Sequence, residues 1–515
     1  MGNSLPTNNS MLRSALFRLI VAGLIGAVVG GCGQDDGTPA QSPGDNVALE
    51  SDGTPSTSDT SSSPFEVATG DATQPSEPVL KVDTENQPPV KPRPVPQPIF
   101  RKSDVRPRHD DAKLASLGIR VFESQRLKLY TDIDPKLAAK LPPLIDAAYI
   151  AWEAYFGKLP PNRERTDFQV TGYLMADKAR FRDAGLIPGN LRPFVNGRHR
   201  GAEFWMNEQQ YDYYRSHLVI HESTHCFMEA IAGERYYEGL PAWYWEGMAE
   251  LFGTHQIGEQ GKVQFRVMPD NRENFAGLGR VTLVREAVDA GKRKSVVGVA
   301  RLRARDFIGN DAYAWSWALC NFLDTHPAYQ KRFREFGSLL TGSRFKQAWK
   351  KFVTDQHGPL LAEWTLFVND LQYGYDIERA AIEFRPGKPL ANEAALNKAN
   401  IRADRGWQSA VLRVEKGTKY VITAAGQFTL AQQPKPWISE AGGISFDYFG
   451  GRPLGLLLAT IHPDGREMLP EFAVGRRHEF VAPASGTLYF RLNNSWSRLA
   501  DNTGQVTVDV QHANP

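Results

Sequence analysis

The chain has 515 residues and a formal net charge of +2. That near-neutral balance lacks the electrostatic footprint of a nucleic-acid binder, and basic clusters such as Arg301, Arg303 and Arg305 read as solvated faces or loops. The length is ample for a buried core, and no internal repeat stands out.

The N-terminal segment reads as an export signal. Arg13 and Arg18 precede an apolar run over 19–31 that is too short to span a bilayer. Small residues, Val29, Gly30 and Gly31, stand directly before Cys32. This pattern resembles a bacterial lipobox, which implies a signal peptide over 1–32 and lipidation of Cys32. The expected location is outside the cytoplasm, anchored to a membrane. Met11 offers a second start, since the first ten residues add nothing to the signal. Residues 33–110 are rich in Ser, Thr, Asp, Gly and Pro. Such a segment buries too little apolar surface to fold and reads as a tether, extended where proline is dense over 88–98.

From 111 to 390 helical and strand-like patterns alternate. The spacing predicts a helix over 141–156, a strand over 168–175, a short helix over 177–184 and a strand over 204–207. Helices dominate from 213 to 371. A small sheet followed by helices suits an α+β domain with a site in the cleft between them. Within the first long helix stands His221-Glu222-Ser223-Thr224-His225. Residues four apart share a helix face, so both imidazoles can reach one ion, and Glu222 can hold a water beside it. Asp212 is a candidate N-cap and Gly233 a candidate stop.

Zinc needs a third protein ligand and an open position. The segment from Pro241 to Gly253 supplies Glu246 and Glu250, four apart on an otherwise apolar and aromatic helix. Carboxylates are seldom buried without a partner, and a metal at Glu246 would be one. Gly247 is expected to let this helix approach the HExxH helix. The alternative ligand is Glu250. Cys226 and Cys320 read as free buried thiols, with a disulfide between them left open.

HExxH followed by this Trp-rich Glu-Gly-x-Ala segment resembles the gluzincin (peptidase MA-like) zinc metallopeptidases. The resemblance implies His221, His225 and Glu246 as zinc ligands and Glu222 as general base. It makes Glu250 a carboxylate that orients a ligand histidine, and Tyr313 the oxyanion donor. The aminopeptidases of that group carry an amine-binding strand. The corresponding segment here, Gly201 to Glu208, lacks that pattern, although Glu203 stands in it. Endo- and exopeptidase action both stay open. The same segment reads as a strand able to pair with an extended peptide.

A Pro/Gly-containing connector is expected over 391–404. Short alternating strands follow near 410–414, 419–424, 454–461, 479–481, 487–492 and 505–510, so 405–515 reads as an all-β sandwich. Its strand order and terminal loop, with Asn494, Arg498, Asp501 and Asn502, resemble the small galactophilic calcium lectins. That resemblance implies one calcium ion. Asn494, Asp501 and Asn502 would give side-chain oxygens, and Leu430 and Arg498 backbone carbonyls. Asx turns between strands are the bland alternative.

The combined expectation is an α+β zincin-like metallopeptidase domain followed by a sandwich. The activity would be a zinc peptidase with peptide or protein substrates, carrying a carbohydrate- or surface-binding module. A non-catalytic glycan-binding surface protein with a metal-binding scaffold is the alternative. The oligomeric state stays open.

Overall fold

The structure is a computed structural model. It describes residues 100–513 except 104–105, 234–239 and 341–342. Cys32, the signal segment and most of the expected tether lie outside the described residues. The folded part begins before 111, because Arg101 is buried and its backbone N–H bonds the Pro161 carbonyl at 3.1 Å. His109 also contacts the Tyr173 hydroxyl at 2.8 Å.

The chain is mixed α/β, with a β-rich C-terminal part. Five strands form the first sheet: β1 (Arg120–Glu123), β2 (Leu127–Thr131), β3 (Val170–Met175), β4 (Gly197–Arg200) and β5 (Glu203–Asn207). Their order is β1-β2-β3-β5-β4. The three inner strands run parallel, while β1 and β4 are antiparallel edges. Side chains alternate across this sheet. Phe204 and Met206 join the main core beneath the helices, whereas Tyr173 and Trp205 join a smaller cluster on the far face. Gly172 stands opposite Phe204 in register, and a Cβ there would meet the Phe204 ring at 2.4 Å.

Helix α1 (Leu141–Phe156) and helix α2 (Asp212–Ala232) pack through Trp152 and Phe227, whose ring centroids are 5.4 Å apart. Asp212 lies in the first turn of α2 rather than at its cap, and it pairs with Arg215 at 2.7 Å. Gly233, with φ of 67°, ends the helix as expected from a residue free to adopt positive φ. Next come α3 (Ala242–Gly253), α4 (Arg280–Asp289) and α5 (Asn310–Thr325), with a short hairpin of His255–Ile257 and Val263–Phe265 after α3.

The expected role of Gly247 is corrected. A Cβ on Gly247 would meet Cys320 Sγ at 2.5 Å and the Ser316 carbonyl at 2.8 Å, so its bare face admits α5. Close approach of α3 to α2 comes instead from Gly253, whose missing Cβ leaves room for His217. Cys226 and Cys320 are both buried free thiols.

Besides a two-stranded hairpin of Tyr448–Phe449 and Arg452–Pro453, the C-terminal part holds two larger sheets. Their strands are β6 (Asn397–Arg402), β7 (Gln408–Val414), β8 (Lys419–Ala425), β9 (Gln427–Thr429), β10 (Ile438–Glu440), β11 (Leu457–His462), β12 (Phe472–Ala473), β13 (Arg477–Val481), β14 (Gly486–Leu492) and β15 (Thr503–His512). One sheet runs β10-β9-β15-β8-β13 with β6 also on β15, and the other runs β12-β11-β14-β7. Thus part of the expected connector, Asn397–Arg402, is a strand of the sandwich. Leu412, Ile422, Leu457 and Val508 lie in the core between the sheets. Trp407, Tyr489, Trp496 and Leu499 belong to the same hydrophobic cluster as the helices. All described residues lie in one compact unit.

Gly247→Ala is expected to lower the unfolding free energy by about 1–3 kcal/mol, because the new methyl meets main chain that cannot swing aside. Urea denaturation of the full chain measures it, and an unchanged midpoint would contradict the packing described.

Candidate metal centre

The site is built where α2 and α3 cross under the edge strand β4. His221 and His225 lie one turn apart on α2, and Glu246 reaches them from α3. His221 Nε2 and His225 Nε2 are 3.1 Å apart. Glu246 Oε2 is 3.4 Å from the first and 3.2 Å from the second. Tetrahedral bonds of about 2.0–2.1 Å set ligand atoms about 3.3 Å apart. The spacing and the chemistry of the donors therefore fit a metal ion held by these side chains. His221 and His225 are 4% and 2% exposed. Glu246 is less buried, with 18% of its side chain exposed, and marks the open side. Burial alone would raise the Glu246 carboxyl, but His225 and His221 hold it well below the usual range.

Glu250 sits one turn beyond Glu246 and is 1% exposed. Arg280 on α4 donates Nε to Oε2 at 2.7 Å and Nη2 to Oε1 at 2.9 Å. The other contacts of Glu250 are His221 Nδ1 at 3.3 Å and His217 Nε2 at 3.3 Å. Burial opposes ionisation of Glu250, yet Arg280 and His217 keep its carboxyl far below the ordinary value. His217, His221 and Glu250 form a second cluster able to hold an ion. The bidentate guanidinium already neutralises that carboxylate. Glu250 is thereby suited to hold the His221 ring with Nε2 turned toward Glu246.

Glu222 is 6% exposed, and burial raises its carboxyl. It lies against β4. A Cβ on Gly197 would come within 2.4 Å of Glu222 Oε1, so the glycine leaves the space that this carboxylate occupies. His199 on the same strand places Nδ1 3.6 Å from Glu222 Oε2 and stacks on His225 with centroids 4.4 Å apart. Burial draws the His199 imidazole down to about 4. Tyr313, in the first turn of α5, lies with its ring centroid 6.0 Å from that of His221. Burial, then Glu246 and Glu222, push its phenol well above the ordinary value, so it keeps its proton at neutral pH.

The structure thus brings together His221, Glu222, His225, Glu246, Glu250 and Tyr313. It does not bring Glu203, whose carboxylate bonds the Tyr173 hydroxyl at 3.2 Å, beside the far-face cluster. The segment expected to pair with a peptide is also corrected. Glu203–Asn207 is enclosed between β3 and β4, and the free edge belongs to Gly197–Arg200.

Three residues of the site were missed in the sequence. His217 extends the ladder of histidines at four-residue spacing and was legible there. His199 sits in a short Gly-Arg-His-Arg stretch with no alternating pattern. Arg280 lies thirty residues beyond Glu250, and no local signal joins them.

The expected calcium ligands are only partly assembled. Asn494, the Arg498 carbonyl and Asn502 converge, with Asn494 Nδ2 donating to Arg498 O at 3.3 Å and to Asn502 Oδ1 at 3.1 Å. Leu430 follows directly on the ladder pair Thr429 and Thr503, which adjoins Asn502. Asp501 is exposed, and among the hydrogen bonds of the described residues none joins its carboxylate to this group. The ligand set that the lectin resemblance implies therefore does not fit. An N–H donor stands among the oxygens, and among the hydrogen bonds of the described residues no carboxylate joins them.

Residues 216–344 match a family model described as "Protein of unknown function (DUF1570)", a span that holds both groups able to hold a metal ion. No curated protein matches the chain. Among solved structures, "EclA N-terminal domain; PllA-like lectin" aligns at 18% identity and a TM-score of 0.19, over 22% of this chain and 95% of that one. The IMPa metallopeptidase from Pseudomonas aeruginosa aligns at 11% identity and a TM-score of 0.14. That alignment covers 67% of this chain and 37% of the metallopeptidase. The periplasmic inhibitor of g-type lysozyme from Aeromonas hydrophila, PliG, aligns at 12% identity and a TM-score of 0.13, over 23% of this chain and 85% of that one. Overlaps this slight leave the functional reading to the geometry.

Zinc titrations of the full chain separate the two carboxylates. Glu246→Gln is expected to abolish tight binding, while Glu250→Gln weakens it by about 10–100-fold. Equal losses, or a larger loss for Glu250→Gln, would make Glu250 the ligand.

Proposed function

We propose that the chain is a zinc-dependent peptidase of gluzincin type, acting on peptide or protein substrates outside the cytoplasm. The observation that carries this reading is the convergence of two imidazole nitrogens and one carboxylate oxygen beside a separate buried carboxylate, Glu222. A zinc ion held by His221, His225 and Glu246 would supply Lewis acidity toward a carbonyl oxygen and make a water a better nucleophile.

The chain's own groups account for the rest. Glu222 is placed to take a proton from the attacking water and to deliver it to the leaving amine, and its raised carboxyl suits both transfers. The Tyr313 hydroxyl, kept protonated, is a donor for the oxyanion that develops on the carbonyl. The unpaired side of β4 offers backbone N–H and C=O groups along which an extended substrate can lie. Gly197 keeps that strand flush with Glu222. An edge strand suits either endo- or exopeptidase action, and the Glu203 carboxylate is engaged by the Tyr173 hydroxyl. Export and anchoring through Cys32 are part of the proposal and rest on the sequence pattern. Among the described residues no helix is long and apolar enough to cross a membrane.

Cleavage of an unstructured protein by the zinc-loaded full chain is the direct test. Glu222→Gln is expected to retain zinc and lose about 10²–10⁴-fold in rate. Tyr313→Phe is expected to lose about 10²–10³-fold with little change in KM. Undiminished cleavage by Glu222→Gln would remove the assigned base, and a zinc-replete parent that cleaves nothing would leave the scaffold role.

A further inference from the structure

We propose that the loop between β14 and β15 is a clasp closed without a cation. In this account it fixes the sandwich to the helical part and does not receive calcium and sugar. Two groups take the ion's place. The first is the Asn494 side-chain amide. Its Nδ2 donates to both oxygens that would flank an ion, the Arg498 carbonyl and Asn502 Oδ1, while its own Oδ1 accepts from Ser495 N at 2.7 Å. The reverse orientation would set oxygen against two oxygens, so the neighbours fix the amide. Asn502 is fixed likewise, because its Nδ2 donates to the Ala403 carbonyl at 2.9 Å.

The second group is the Arg491 guanidinium, a positive charge carried by the chain itself. Arg491 is 4% exposed. Its Nη2 donates to the Asn494 carbonyl at 3.0 Å and to Asn493 Oδ1 at 3.3 Å. The guanidinium carbon lies 3.8 Å from the centroid of the Trp496 ring. Bonded to Asn494 O and Asn493 Oδ1 and set on an aromatic face, it braces the loop with a charge the chain carries itself.

The helical part takes up Trp496 and the backbone beside it. Trp496 is 2% exposed and stacks on Tyr375 with centroids 5.7 Å apart. Its carbonyl accepts from Asp376 N at 2.9 Å. With its amide turned as its neighbours require, the Gln372 oxygen accepts from Trp496 N at 2.8 Å and Ser497 N at 3.2 Å. Asn493, Asn494, Trp496, Leu499 and Asn502 are thus buried within the chain, while Ser497, Arg498, Ala500 and Asp501 stay exposed.

Calcium titration of the zinc-saturated full chain tests the proposal, zinc saturation keeping calcium from the histidine site. The wild-type chain is expected to give no binding heat and no shift of its thermal midpoint with millimolar calcium. Asn494→Asp puts a carboxylate against two oxygens and removes both donations. It is expected to lower the midpoint by several degrees without calcium and to recover part of that loss with it. Stoichiometric calcium binding by the wild type, or an Asn494→Asp midpoint equal to wild type without calcium, would overturn the proposal. The wild-type titration decides the matter even if the variant fails to fold.

Discussion

The arrangement depends on a buried carboxylate and the charge that answers it. Ionised Glu250 lies in the interior, where an unpaired charge costs several kcal/mol. Arg280 meets it with two short bonds, and His217 and His221 crowd its remaining oxygen positions. This one group ties α2, α3 and α4 together. With one oxygen 3.3 Å from Nδ1 of His221, it is also placed to orient the ring whose Nε2 faces His225 and Glu246. The three atoms able to hold a metal ion thus converge beside this charge pair. The neighbouring carboxylate, Glu246, differs by standing nearer to solvent, where its charge is answered by histidines alone.

Much of this was legible because it is local. Four-residue spacing put His221 and His225 on one face and Glu246 and Glu250 on another, and the structure sets those faces together. The helix at Leu141–Phe156 followed from its amphipathic pattern. Other features were illegible because they are pairings across the fold. Arg280 meets Glu250, β4 displaces the expected strand at the sheet edge, and Gly247 packs on α5 rather than α2. A glycine in a helix announces a close approach but not the partner. Ion-pair partners far apart in sequence announce nothing until the helices are placed.

The sandwich shows the same lesson in its chemistry. Asn494, the Arg498 carbonyl and Asn502 do meet, as the resemblance implied. What spacing does not reveal is which atom of an amide faces inward. With nitrogen there, the loop is satisfied by the protein's own donors. Its tryptophan is free to serve as an anchor, shared with Tyr375 and Arg491. The β-rich part then shares a core with the helices through Trp407, Tyr489 and Trp496. Substrate selection would on this account lie with β4 and Tyr313, beside the histidine site.

X-ray absorption at the zinc K-edge of the zinc-loaded full chain bears on the central claim most directly. The account predicts nitrogen and oxygen neighbours alone at about 2.0–2.1 Å, with the multiple scattering of two imidazoles. A sulfur shell near ~2.3 Å, or a first shell without imidazole scattering, would contradict it.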